Sequence, residues 1–287
     1  MKRLLLSLWL TCAATAACIP PPNTYDYEAQ VWTGGAGAYS ASAYRAGTVF
    51  MQQAKWWGLR PLLGRVNLYL GNDTNGLCKP IIRDWYTISS QLDGLRGFTA
   101  ADFSESTGLT GDTTTKCLGV NGVDGAAGNS AWWLKLSDWT VATNVHMATY
   151  VRTGTNEATY LLGTQQNPPT YYLTASFANI SYADTGLAFA SAPDTNGVGL
   201  YMATRRSTTD FTYYKNGSIL CTNATSDTTA ISSIGMIVHA FNTAGVPGGH
   251  TSRTLSYYAF GFSIPDSLAQ PYYKMVQNVQ ITMGRQK

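Results

Sequence analysis

The chain is expected to fold as an all-β protein, two antiparallel sheets packed face to face with one helix near each end. Three observations carry that expectation. Beyond about residue 98 the sequence breaks into short apolar or alternating runs, among them residues 160–164, 171–177, 198–205, 233–241 and 254–262. They are separated by turn residues such as Pro193-Asp194-Thr195-Asn196-Gly197 and Pro247-Gly248-Gly249, which is the spacing of a sandwich. Asn216-Gly217 stands between Tyr213-Tyr214-Lys215 and Ser218-Ile219-Leu220, the signature of a hairpin closed by a type I′ turn. Finally, the 287 residues are 45% hydrophobic, 12% aromatic and only 12% charged. Ordinary domains carry about 25% charged residues, so a large core under a neutral, hydroxyl-rich surface is implied and intrinsic disorder is excluded.

The elements follow in order. Residues 1–17 combine Lys2 and Arg3 with the apolar run Leu4 to Leu10 and small residues up to Ala17. That order is a secretory signal peptide, too short to remain as a membrane span. Cys18 follows Thr15-Ala16-Ala17, the place of a lipoprotein acceptor, so a lipid anchor at Cys18 is the one expected membrane contact. An apolar N-terminal helix of a particle protein is the bland alternative. Residues 18–40, with Pro20-Pro21-Pro22 and Gly34-Gly35-Ala36-Gly37, have linker composition.

An arm is expected over residues 41–97. Ala43, Ala46, Phe50, Ala54 and Trp57 recur at helical spacing, with Ser40 or Ser42 as cap and Gly58 at the end. Val66, Leu68 and Leu70 then mark a strand. The sandwich is expected over residues 98–287. In its last segment Tyr272, Met275, Val276, Val279 and Met283 form a helical stripe, with Pro271 suited to a first helical position.

The order of several motifs resembles a known family. Phe98 to Asp112, with Thr115-Lys116-Cys117-Leu118 after it, is similar to the entry strands of concanavalin A-like jelly rolls, the laminin-G-like domains of phage-associated and exported bacterial proteins. Phe211-Thr212-Tyr213-Tyr214-Lys215-Asn216-Gly217 resembles the family's hairpin, Arg253 to Gly261 one of its strands, and Met283-Gly284-Arg285-Gln286 its terminal helix end. The resemblance runs from about residue 40 to the end. Cys117-Leu118 stands where an aromatic is usual, and Thr113 replaces a turn glycine. The resemblance implies a two-sheet antiparallel jelly-roll sandwich with an N-terminal helical arm and a C-terminal helix.

Composition disfavours several functions. A net charge of +3 is too weak for phosphate-backbone binding, and Arg205-Arg206 is the one basic dipeptide after the leader, so no nucleic-acid partner is expected. Retaining glucanases of the resembled family carry Glu-x-Asp-x-x-Glu on one strand, placing acid and nucleophile together; this chain has no such string. Asp102 and Glu105 are three apart, hence on opposite faces of a strand. His146, His239 and His250 lack ligand spacing, no G-x-S-x-G elbow occurs, and Gly35-x-Gly37 is not a dinucleotide fingerprint. The protein is not expected to be an enzyme.

Binding is the better expectation. Rings stack on sugar faces while hydroxyls and amides take sugar hydroxyls, and Tyr171-Tyr172, Tyr213-Tyr214 and Tyr257-Tyr258 sit on expected strands. Since neighbours in a strand point to opposite faces, one ring of each pair is expected outward. Trp133, Tyr172, Tyr214 and Tyr258 are the candidates for glycan contact. Jelly rolls of the resembled type often hold calcium through loop oxygens. Candidate loops are Asn72-Asp73-Asn75, Asn121-Asp124-Asn129 and Asp194-Asn196, with Asp124, Asp194 and Asn196 as the candidate ligands. Turn formation explains the same residues. Cys78, Cys117 and Cys221 lack a metal or redox spacing. They are read as one disulfide with a free thiol, or as small buried hydrophobes.

The expected function is therefore surface adhesion or lectin-like binding of a glycan or cell-surface polysaccharide, by a protein exported to the envelope or medium. A structural subunit of a virion or cell-surface assembly, self-associating through the jelly roll, is the alternative. A degenerate glycoside hydrolase stands third.

Overall fold

A computed structural model describes residues 39–82, 92–120, 140–165, 170–186 and 189–286. Its elements are α1 (Ala41–Trp56), β1 (Leu63–Asn67), α2 (Thr74–Leu77), β2 (Gly94–Arg96), β3 (Phe103–Ser104), β4 (Gly108–Thr110), β5 (Cys117–Gly119), β6 (Val145–Val151), β7 (Leu162–Gln165), β8 (Thr170–Leu173), β9 (Ile180–Gly186), β10 (Phe189–Pro193), β11 (Gly199–Ser207), β12 (Asp210–Lys215), β13 (Ser218–Asn223), β14 (Ile237–Val238), β15 (Phe241–Thr243), β16 (Val246–Gly248), β17 (Thr254–Gly261) and α3 (Asp266–Thr282). The expected all-β sandwich is present, as two sheets. The first runs β13-β12-β11-β6-β17-β4-β3, with β1 also on β17; the second runs β10-β9-β8-β7-β14-β5-β2, with β15 on β7 and β16 on β15. Neighbouring strands are antiparallel except β15 beside β7.

Alternation within each strand divides the apolar residues between two cores. Val145, Met147 and Val151 of β6, with Tyr201, Tyr213, Tyr258 and Phe260, meet Leu162, Tyr171, Leu173 and Ala183 from the second sheet. The intervening residues, Ala148, Tyr150, Met202, Tyr214, Tyr257 and Ala259, meet Phe50, Met51, Tyr272, Met275 and Val279 of the two long helices. The first sheet is thus a middle layer. All seven residues of β6 and all eight of β17 are buried, as in strands covered on both faces.

The helices are placed by local chemistry. Ser40 accepts the Ala43 N–H at 3.1 Å and caps α1, an interaction that stabilises a helix start by about 1 kcal/mol. The C-terminal helix α3 departs from expectation. It begins at Asp266, so Pro271 lies inside it rather than at its first position. Asp266 pairs with Arg206 at 2.5 Å and accepts from the Tyr214 hydroxyl, which draws the helix start back to residue 266. A shift of register between Leu255 and Tyr257 turns two successive residues of β17 toward α3. Ser256 bonds Gln280 at 2.7 Å, and the Tyr257 and Tyr272 hydroxyls meet at 2.6 Å. The thiols of Cys78, Cys117 and Cys221 are free, the first two buried; the expected leader, linker and Cys18 lie outside the described residues.

Beyond the helix, Arg285 returns into the body and is fully buried. Its guanidinium donates to the carbonyls of Glu105, Leu68, Tyr69 and Ser256, joining the arm, the β3–β4 hairpin and β17. Buried carbonyls deprived of a donor cost about 1–3 kcal/mol each. Arg285→Met is therefore expected to lower unfolding free energy by about 3 kcal/mol or more in urea titration; an unchanged midpoint would refute this role.

Candidate functional site

With helices over the first sheet, the outer face of the second is the sheet face left to solvent among the described residues. In β8 and β9 burial alternates through Thr170, Tyr171, Tyr172 and Leu173, and through Ile180, Ser181, Tyr182 and Ala183, with Tyr172 and Tyr182 half-buried. Cross-strand register sets out a row on the outer face. Phe241 of β15 lies over Gly163 of β7, Gly163 pairs with Tyr172, Tyr172 with Asp184, and Asp184 with Phe189.

Two glycines make room for the rings. A Cβ on Gly163 would fall 2.8 Å from both Phe241 Cδ2 and the Cβ of Tyr172. One on Gly249 would fall 2.6 Å from Tyr160 Cδ2. Tyr160 consequently stacks on Phe241 with centroids 4.5 Å apart and planes 19° from parallel. Tyr172 stands edge-on to both, at 5.4 and 6.0 Å. Phe177 extends the cluster to Tyr182. The hydroxyls of Tyr160, Tyr172 and Tyr182 make no hydrogen bond among the described residues, and none is an enclosed, unpartnered group.

Asp184 borders this ring cluster. Its carboxylate accepts the Gly186 N–H at 2.9 Å. Burial lifts its carboxyl to about 7; the Gly186 N–H opposes that rise, Asp227 adds to it, and Arg205 works against it. The Tyr172 hydroxyl is pushed up by burial and then by Asp184. The arrangement offers an apolar platform with polar rims and one carboxyl that titrates near neutrality.

The expected site residues fare differently. Tyr172 is in the cluster. Tyr214 and Tyr258 are not on any open face: the Tyr214 ring is buried against the helices and the Tyr258 ring inside the sandwich. Outward alternation failed there because the first sheet is covered on both sides. Their hydroxyls serve Asp266 and Asp93. Trp133 and Asp124 lie outside the described residues. Asp194 is also corrected as an open metal ligand. It is buried, accepts from Lys215 at 2.7 Å, from Ser181 at 2.7 Å and from the Tyr201 hydroxyl. Burial alone would raise its carboxyl, but these donors hold it well below the usual carboxylate range. Asn196 is exposed, and its side-chain oxygen accepts the Val198 N–H at 3.0 Å, as in a turn. Among the described residues no three His, Cys, Asp or Glu side chains form a metal-holding group.

The histidines are interior groups. Burial lowers His146 to about 4; its Nδ1 donates to the Phe262 carbonyl at 2.6 Å and Nε2 accepts from Tyr272. His239 is no strand residue: its φ is 66°, and its buried ring stands edge-on to Phe98 at 5.4 Å. His250 Nδ1 donates to the Lys116 carbonyl at 3.0 Å. Asp102 lies in a helical turn rather than a strand and pairs with Lys116 at 2.8 Å.

No family model matches the sequence, and no curated protein matches it. Solved structures are similar at low identity. The CBM40 of Ruminococcus gnavus IT-sialidase bound to α2,6-sialyllactose has a TM-score of 0.37 at 13% identity, over 48% of this chain and 91% of that one. The binding domain of Paraclostridial Mosquitocidal Protein 1 reaches 0.41 at 9%, over 75% and 52%. A mutant Trypanosoma rangeli sialidase with trans-sialidase activity reaches 0.46 at 8%, over 80% and 39%. Matches at these scores carry no ligand across to this chain.

Proposed function

We propose that this protein is a non-enzymatic, exported adhesin that binds carbohydrate on the outer face of its second sheet. The observation that carries this reading is the group of half-exposed rings, Tyr160, Tyr172 and Tyr182, whose hydroxyls are unengaged beside Asp184. Ring faces favour the apolar side of a pyranose, and phenol and carboxyl groups take its hydroxyls. The laminin-G-like order of sequence motifs supports the same reading. The commonest glycoside hydrolysis uses two carboxyl groups flanking the scissile bond. Here the carboxylate nearest in charge to Asp184 is Asp227, buried in an ion pair with Arg205 at 3.3 Å, which supports binding without turnover. Self-association is a second reading, favoured by Trp56 at 69% and Ile281 at 51% exposure on the helical layer. Sedimentation equilibrium would then show dimers or larger species as concentration rises, and a strict monomer at about 100 μM would remove it.

Loss of one stacking ring removes about 1 kcal/mol. Tyr172→Ala and Tyr182→Ala are each expected to weaken retention on a glycan array or in affinity electrophoresis roughly fivefold, with folding retained. Undiminished retention by both variants would end the assignment of this face.

Asp184 supplies a pH test. A carboxyl whose folded pKa lies above its unfolded value favours the protonated protein. Its contribution to stability is full in acid and is lost as pH rises from about 4 through 7. Asp184→Asn should flatten that decline, by an amount of order 2–4 kcal/mol between pH 4 and 8, in urea unfolding across pH. Parallel profiles for both proteins would contradict the burial-driven shift.

A further inference from the structure

A groove of about 520 Å³ opens on the first sheet where the β3–β4 hairpin meets the ends of β6 and β17, with no residue of the ring cluster in its wall. Asp102, Phe103, Ser104, Thr110, Arg152 and Thr254 lie in its wall. Arg152 is fixed from behind. Its Nε donates to the Arg285 carbonyl at 2.8 Å, and Nη1 to the carbonyls of Ser106 at 3.1 Å and Thr107 at 2.8 Å. All three acceptors are neutral, so the guanidinium charge has no carboxylate partner among the described residues. Its Nη2 makes no hydrogen bond there either. The Arg285 guanidinium, close enough to be repelled by Arg152, adds to the positive potential.

The acids nearby are already engaged. Asp102 takes Lys116 Nζ at 2.8 Å and the Thr99 N–H at 2.7 Å, and Glu105 takes the Ser40 N–H at 3.0 Å. The wall also carries hydroxyls: Thr110 and Thr254 meet at 2.9 Å, Ser104 and Thr107 at 2.7 Å. A hydroxyl donates once and accepts twice, so Thr107, Thr110 and Thr254 keep capacity for a ligand, whereas Ser104 is filled by Ser106, Thr107 and the Thr107 N–H. A pre-positioned guanidinium that keeps the two N–H groups of Nη2 unspent can donate them, with its charge, to an anionic oxygen. The groove's volume suits a sugar ring or two rather than a bare ion.

We propose that this groove binds an acidic sugar, with Arg152 taking its carboxylate or sulfate and the Thr107, Thr110 and Thr254 hydroxyls taking ring hydroxyls. The half-buried Phe103 ring is available to its apolar face. This site stands on Arg152 and the groove, independently of the ring cluster.

Calorimetric titration of the full chain with sodium glucuronate, glucose 6-sulfate, glucose and sodium sulfate, at low and at 0.5 M salt, tests it. Glucuronate or glucose 6-sulfate should bind saturably and weaken with salt, with glucose about tenfold weaker or worse. The tighter of the two names the anion. Arg152→Gln should cost about tenfold or more and remove the salt dependence, whereas Ile219→Ser, at an exposed strand position outside the groove wall, should leave these isotherms unchanged. Should Arg152→Gln fail to fold, Thr110→Glu keeps every Arg152 contact and places a carboxylate in the groove; it should abolish binding. Equal binding of glucose and glucuronate, retention by Arg152→Gln or Thr110→Glu, or inorganic sulfate binding as tightly as the acidic sugars would each overturn the proposal.

Discussion

Burial of the first sheet on both faces is the constraint from which the rest follows. Its strands carry apolar or aromatic residues at successive positions, Tyr213 and Tyr214 on β12 and Tyr257 and Tyr258 on β17. A sheet with two apolar faces needs two covers. The second sheet supplies one; α1 and α3, whose own apolar stripes include Phe50, Met275 and Val279, supply the other. Once the helices are committed there, the second sheet has, among the described residues, nothing on its outer side but its own side chains. The ring cluster of Tyr160, Tyr172 and Phe241 is the consequence: rings that interlock with one another rather than with a third layer.

Low charge is used in an equally directed way. Arg65, Arg205, Arg253 and Arg285 are fully buried, and such groups must be paired or hydrogen-bonded to be tolerated. Arg65 is held by Asp93 at 2.6 Å and Arg205 by Asp227 at 3.3 Å. Arg253 donates to the carbonyls of Thr155 and Ser176, and Arg285 depends on carbonyls alone. Cations that a composition table assigns to the surface are therefore structural clamps across loops, and the exterior is more neutral than the sequence count suggests. Against that neutral exterior an arginine such as Arg152, half-buried and tied only to neutral oxygens, dominates its neighbourhood.

Much of the architecture is legible in the residues. The Asn216-Gly217 turn occurs as expected, with φ of 53° and 75°, because no other short sequence suits two successive left-handed residues so well. The α1 stripe and its Ser40 cap are equally local signals. What escapes is set by distant partners. β9 goes unnoticed because Ser181, Asp184 and Thr185 blunt its apolar alternation, yet it carries Tyr182 and Asp184. Tyr160, Phe177 and Phe241 lie in or beside loops far apart in sequence, and only strand register brings them to one face. Gly163, reduced to backbone so that two rings can lie over it, is the kind of position sequence could flag: a glycine inside a strand signals close approach.

The same logic explains why paired tyrosines mislead. Alternation states that two adjacent rings face opposite ways; it cannot state which of the two directions ends in water. In β8 one direction leads to the core and the other to solvent, so Tyr171 is buried and Tyr172 is half-exposed. In β12 and β17 both directions lead to packed layers, and the spare hydroxyls find internal partners instead, Tyr213 the Thr174 carbonyl at 2.7 Å and Tyr257 the hydroxyl of Tyr272. A phenol buried with a partner stabilises the layer it joins, whereas one left half-exposed with its hydroxyl unengaged gains nothing internal from that oxygen. A hydroxyl that is both unengaged and open to solvent therefore separates a tyrosine placed for recognition from one placed for packing, since the Tyr171 hydroxyl is unengaged but enclosed, and that property belongs to the assembled layers rather than to any window of sequence.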